Sequence, residues 1–126
     1  MDSAGLSRFI RQSPQRETVV VRRQTGVSPV TWTDAVVPAR VRQYGAAELV
    51  AGITQGDFEV VVAHADLVAA GWLVPPKDGD RVIRFPTIAN GAYVPGGSAV
   101  ELTVRHPGDR GGRIGYWLQA RGGGVR

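Results

Sequence analysis

Cysteine is absent from the 126 residues, which excludes a disulfide framework and any thiolate-held metal. Lysine occurs only as Lys77, and histidine only as His64 and His106. No apolar run approaches the roughly 18 residues that a membrane-spanning helix needs. Met1 to Gln24 is polar and arginine-bearing, without the apolar stretch of a signal peptide. The expectation is a protein made in and retained by the cytoplasm, with no membrane partner.

Apolar residues make up 43% of the chain, enough for one packed interior and too much for wholesale disorder. Gly 17 and Pro 8 together form about a fifth of it, which suits short strands joined by turns better than a helical bundle. The net charge of +4 is unevenly spread. Residues 1–23 hold five arginines against Asp2 and Glu17, and residues 105–126 hold five against Asp109. Residues 24–104 are acidic, with eight carboxylates against five basic side chains. Basic ends of this kind point to nucleic acid phosphates or to acidic neighbours in an assembly. Arginine, 14 of the 15 basic residues, suits bidentate contacts better than lysine does.

Residues 1–16 lack a clean helical or strand period and read as a flexible or docking arm, in which Leu6, Phe9 and Ile10 would form one apolar face of a short helical turn on docking. Glu17 to Arg23 is dense in β-branched residues and predicts the first strand. Thr25 to Pro29 reads as a break, Thr31 to Thr33 as a short strand, and Asp34 as a turn. Val36 to Tyr44 predicts a strand with Val37, Ala39 and Val41 on one face and Arg40 and Arg42 on the other. Pro38 confines its start to an edge or a bulge. Ala46 to Gly56 is ambiguous. Phe58 to Ala63 predicts a strand, and His64 to Ala70 a short helix ending at Gly71. Lys77 to Asp80 has turn chemistry, and Arg81 to Phe85 is the next strand. Residues 86–98 read as a long loop with a brief extended piece at Ala92 to Val94. Ala99 to Arg105 and Arg113 to Arg121 pair as a hairpin, and 122–126 form a frayed tail. The predicted fold is all-β: a small, partly closed barrel or sandwich over 17–121, with at most one or two helical turns.

Catalytic chemistry is missing from this pattern. Asp57, Glu59, His64 and Asp66 have metal-ligating side chains, but strand alternation splits them between faces. Asp78-Gly79-Asp80 lacks the remaining ligand spacing of a calcium loop. The glycine pairs match no phosphate-binding signature, and no serine sits in a nucleophile motif. The expectation is no enzyme, no metal and no cofactor. Trp32, Trp72, Trp117, Tyr44, Tyr93 and Tyr116 could stack on bases, but they are scattered instead of gathered on one basic strand face.

Between Ala39 and Arg84 the chain resembles the head-closure proteins of long-tailed phages and gene transfer agents, also called stoppers or head–tail joining proteins. The matching features are a strand leading into Gln55-Gly56-Asp57 and a strand ending in Ala63-His64-Ala65-Asp66-Leu67. Then come the pair Pro75-Pro76 and the turn Gly79-Asp80-Arg81-Val82, and Leu118 to Gly122 resembles the family's last strand. Residues 86–98 depart from the pattern, being longer than the short hairpin expected there.

The resemblance implies a virion protein at the head–tail junction. It would form a ring of six or twelve copies below the portal and adaptor and above the tail terminator or tube. That ring would close the filled head and pass double-stranded DNA without sequence preference. On that reading Arg40 and Arg42 are the DNA-facing candidates. The loop would project to the channel or the next ring, with Gly91, Gly96 and Gly97 giving it freedom and Tyr93 its contact. The alternatives are a small nucleic-acid-binding barrel outside any particle, or another neck ring such as an adaptor or tail terminator.

Overall fold

The computed structural model describes residues 2–43, 57–72, 75–97, 99–106, 109–110 and 114–122. Tyr44, the ambiguous Ala46–Gly56 segment and the tail beyond Gly122 lie outside the described residues. In chain order the elements are α1 (Ser3–Gln12), β1 (Arg16–Val27), β2 (Val30–Gln43), β3 (Asp57–Ala63), α2 (His64–Ala69) and β4 (Arg81–Arg84). They continue with β5 (Thr87–Ala89), β6 (Ala92–Val94), β7 (Val100–His106), β8 (Asp109–Arg110) and β9 (Gly115–Gly122).

The main sheet runs β3-β2-β1-β4-β7-β9, and antiparallel pairing of β3 with β9 joins its ends into a closed six-stranded barrel, with β8 added on β9. Closure removes the edges that an open sheet would leave. One set of alternating side chains fills the interior: Val19 and Val21, Ala35 to Val41, Val60 and Val62, Val82, Leu102 and Val104, and Tyr116 to Ala120.

Strands β1 and β2 are longer than the sequence suggests. Asp34 has turn chemistry, yet it lies mid-strand opposite Arg22, and their side chains pair at 2.8 Å. That cross-strand ion pair supplies what a turn would otherwise give the carboxylate. The expected break at Thr25 is a register shift between Gln24 and Gly26, bridged by the Thr25 and Thr31 hydroxyls at 3.1 Å. The chain reverses only at Ser28-Pro29, joined by a cis peptide. Pro38 sits where β2 pairs with β1 but lies beyond its ladder with β3, which begins at Arg40. No donor is lost there.

The N-terminal segment, expected as an arm with a short helical turn on docking, is docked on the outside of the barrel and helical over the longer span Ser3 to Gln12. Asp2 caps it by accepting from the Gly5 amide at 2.7 Å, and Pro14 follows its end. The short helix α2 ends in a Schellman motif, with Trp72 N–H donating to Leu67 and Gly71 N–H to Val68. Gly71 takes the positive φ of 75° that this cap requires.

Residues 86–98 hold more than a loop: the extended piece expected at Ala92 to Val94 is β6, and Thr87–Ala89 pairs with it. They contain a β-hairpin in which Asn90 and Gly91 have φ of 53° and 77°, the pair of positive values a type I′ turn demands. The tail boundary also shifts, because Gly122 belongs to β9.

Candidate functional site

Ion pairs close both ends of the barrel interior. At one end Arg23 makes two 2.9 Å bonds to Asp80, a third to the Pro75 carbonyl, and lies 4.7 Å over the Trp72 ring. Asp80 is buried and also accepts from the Lys77 amide, so the turn read as a calcium-loop fragment is an anchor for Arg23. At the other end Arg84 pairs with Glu17 and stacks between Phe58 and Phe85. Among the described residues the interior is a packed core with a guanidinium at each end.

Arg40 and Arg42 project from the outer face, as strand alternation predicts. Both converge on Glu59, at 3.7 Å and 2.7 Å. Beside them Arg121 and Gln119 hold Asp57, at 2.8 Å and 2.7 Å. The hydrogen bond to Asp57, more than its charge, raises the Arg121 pKa further above its ordinary value. The exposures are layered. The Arg40, Arg42 and Arg121 side chains are 28%, 26% and 39% exposed, whereas Glu59 and Asp57 are 13% and 0%. Carboxylates therefore lie at the sheet, and the cations above them face outward.

Ladder register brings two residues to this face that sequence reasoning did not single out. Arg16 stands directly opposite Arg40, and both belong to the outward set. Arg11, at the end of α1, shares a surface depression of about 300 Å³ with Arg16, Glu17, Thr18 and Pro38. The signal for Arg16 was its period-two spacing with Thr18 and Val20, which only the pairing register turns into a position beside Arg40.

Of the docking candidates, Leu6 and Ile10 are buried against Val61, Ala63, Ile114 and Trp117, while Phe9, at the flank of that face, is 51% exposed. Ser7 and Arg11 add hydrogen bonds to Asp66 of α2. The loop candidate Tyr93 folds back over the barrel, where its ring lies 5.0 Å from the Arg22 guanidinium. Trp32 covers the same guanidinium at 4.4 Å. Gly96 and Gly97, with positive φ, line a depression of about 210 Å³ beside Tyr93. Gly91 borders a second depression, of about 400 Å³, with Val36 and Ala70.

The four residues with metal-ligating side chains have separate engagements: Asp57 and Glu59 with arginines, Asp66 with α1, and His64 Nδ1 with the Tyr116 hydroxyl at 2.7 Å. Among the described residues no three such groups converge. The aromatics divide as well. Trp72 and Tyr116 belong to the core, Trp117 lies against the α1 cluster, and Trp32 and Tyr93 sandwich Arg22.

Fold and surface together define a small closed antiparallel barrel with one docked helix and an arginine-bearing outer face. The chain matches no known family, no curated protein and no solved structure.

Proposed function

We propose that this chain is a non-catalytic structural subunit, assembling as a ring in the neck of a tailed-phage-like particle. There it closes the DNA-filled head and offers the tail its attachment surface. One observation carries the reading beyond the resemblance. The β1–β2 ribbon extends past the rest of the barrel, since β4 pairs only with Val19 to Arg22 and β3 only with Arg40 to Gln43. At its tip Val27 and Val30 are 80% and 55% exposed and stand opposite each other. An isolated monomer gains nothing from a projecting apolar tip, whereas a ring subunit reaching its neighbour does.

The test is copy number and position in purified particles. Quantitative mass spectrometry is expected to return six or twelve copies, and electron microscopy to locate them at the head–tail junction. One or two copies per particle overturns the proposal. The second reading, a nucleic-acid-binding barrel outside any particle, draws support from the arginine face. It loses support from Trp72 and Tyr116, which are buried, and from Trp32 and Tyr93, which already stack on Arg22.

A further inference from the structure

We infer that copies of this chain dock head to tail: the β1–β2 tip of one, carrying Val27 and Val30, enters an aromatic mouth at the far end of its neighbour's barrel, formed by Phe58, Phe85 and Val100. Pairing fixes where the two surfaces lie. Strand β1 starts at the barrel end where Glu17 meets Arg84, and it leaves past the end where Arg23 meets Asp80. The tip follows Arg23, whereas Val100 stands opposite Arg84, which is itself opposite Val19. From the level of Val19 to Val27 the strand runs roughly 25 Å at about 3.3 Å per residue. A chain therefore cannot place its own tip in its own mouth.

The two surfaces match in character. Gln24 to Thr33 contains no charged residue, although 21% of the chain is charged. Val27 and Val30 lead this neutral tip into solvent, and no third strand flanks it among the described residues. In the mouth the Arg84 guanidinium lies 5.0 Å from the half-buried Phe58 ring and 4.7 Å from that of Phe85. Glu17 pairs with Arg84 and cancels its charge. Beside this stack Phe85 and Val100 are 53% and 44% exposed. A neutral tip seated there buries apolar surface on both sides and leaves no charge stranded without its partner.

Backbone strain is an independent pointer to the mouth. Phe85 holds φ at 55°, a conformation that is costly for a bulky residue. An isolated subunit has little return for that cost, because the ring stays half in water. Such strain is understandable where a contact requires the side chain. The tip and the mouth are unlike surfaces at opposite ends of one chain, so their contact is heterologous and repeats from copy to copy. Only closure of that series into a ring rests on the connector reading; the pairing of tip with mouth does not.

The experiment is disulfide trapping, which the absence of cysteine leaves free of background. Val27→Cys and Val100→Cys are purified separately, mixed in equal amounts at high concentration and oxidised. The mixed dimer is expected well above its statistical proportion, with the 27–100 link identified by mass spectrometry. Each variant alone should stay largely monomeric. Adding Val30→Asp to the Val27→Cys chain should cut the mixed dimer several-fold, because it carries a charge into a neutral site. Its thermal melt should match that of Val27→Cys, since Val30 is exposed. The double variant Val27→Cys/Val100→Cys should give a ladder of covalent oligomers.

A mixed dimer at the statistical proportion overturns the inference, as does a yield that Val30→Asp leaves unchanged. Efficient dimers of Val27→Cys alone overturn it too, since they would show tip meeting tip. A ladder that ends in closed species of six or twelve supports both docking and ring. A ladder that runs on without closing supports the docking and counts against the ring, so the two failures are told apart.

Discussion

Helix α1 and the β5–β6 hairpin are both excursions from the barrel, and they are attached in opposite ways. The helix buries Leu6 and Ile10 completely against the sheet, then fixes its position through Ser7, Arg11 and the Ser3 hydroxyl, which accepts from the Ala65 amide. The hairpin has good local geometry but leaves Ile88 and Val94 exposed, and Tyr93 is its half-buried contact with the barrel. Depressions remain on both sides of that ring. Regular secondary structure therefore does not measure integration into the fold. Burial does, because each fully buried large aliphatic side chain contributes about 1.5–3 kcal/mol, whereas a turn optimises only itself.

The contrast predicts graded losses. Ile10→Ala should destabilise the whole protein by about 2–5 kcal/mol, because it opens a cavity under a helix that shares a cluster with Val61 and Ala63. Chemical denaturation should show this as a lower midpoint. If the loss is below about 1 kcal/mol, the helix is a removable arm and the contrast fails. Asp66→Ala comes next, at about 1–3 kcal/mol, since it removes the acceptor of both Ser7 and Arg11 and leaves the Ser7 hydroxyl unpaired in a buried site. Thermal melts of D66A should shift less than those of I10A.

On the hairpin side, Tyr93→Ala should cost no more than about 1 kcal/mol, the scale of a partly exposed cation–π contact. Replacing residues 88–97 by a tight turn should leave the barrel folded, with the parent's far-ultraviolet dichroism and a cooperative melt. A large loss in either variant would make the hairpin integral. The smallest effect concerns Phe85, which enters the hairpin with φ of 55°, a conformation costly for a bulky side chain. Phe85→Gly relieves that cost and gives up the ring under Arg84. The net result should lie between neutral and about 1 kcal/mol stabilising by denaturant titration.

The same contrast marks what the sequence made legible. Period-two patterning identified the faces of Val37, Ala39 and Val41 and of Arg40 and Arg42, because half-buried strands write burial directly into alternation. The type of fold followed from strand density and turns. Only a turn of the N-terminal helix was legible, because Leu6 and Ile10 alone are the apolar residues of its buried face, among serines and a glycine that weaken any helical period. Asn90-Gly91 was a readable hairpin signal, but the flanking strands are short and mostly exposed and show no alternation. Arg16 was unreadable as part of a site, since its neighbour Arg40 is 24 residues away and only register joins them. The pairing of Arg23 with Asp80 was hidden for the same reason, with 57 residues between them.

Closure of the barrel through β3 and β9 also sets a timetable. Asp57 and Arg121, the first pair of that seam, are 64 residues apart. The β1–β2 ribbon can form locally on the microsecond scale of hairpins, but β3 must hold an open edge until β9 arrives. Contacts of that range place folding toward the millisecond-to-second end for small domains. In that interval the Val60 to Val62 edge is available to any other strand, including β9 of another copy. Refolding at high protein concentration is therefore the condition in which swapped dimers should accumulate, with β9 exchanged between chains.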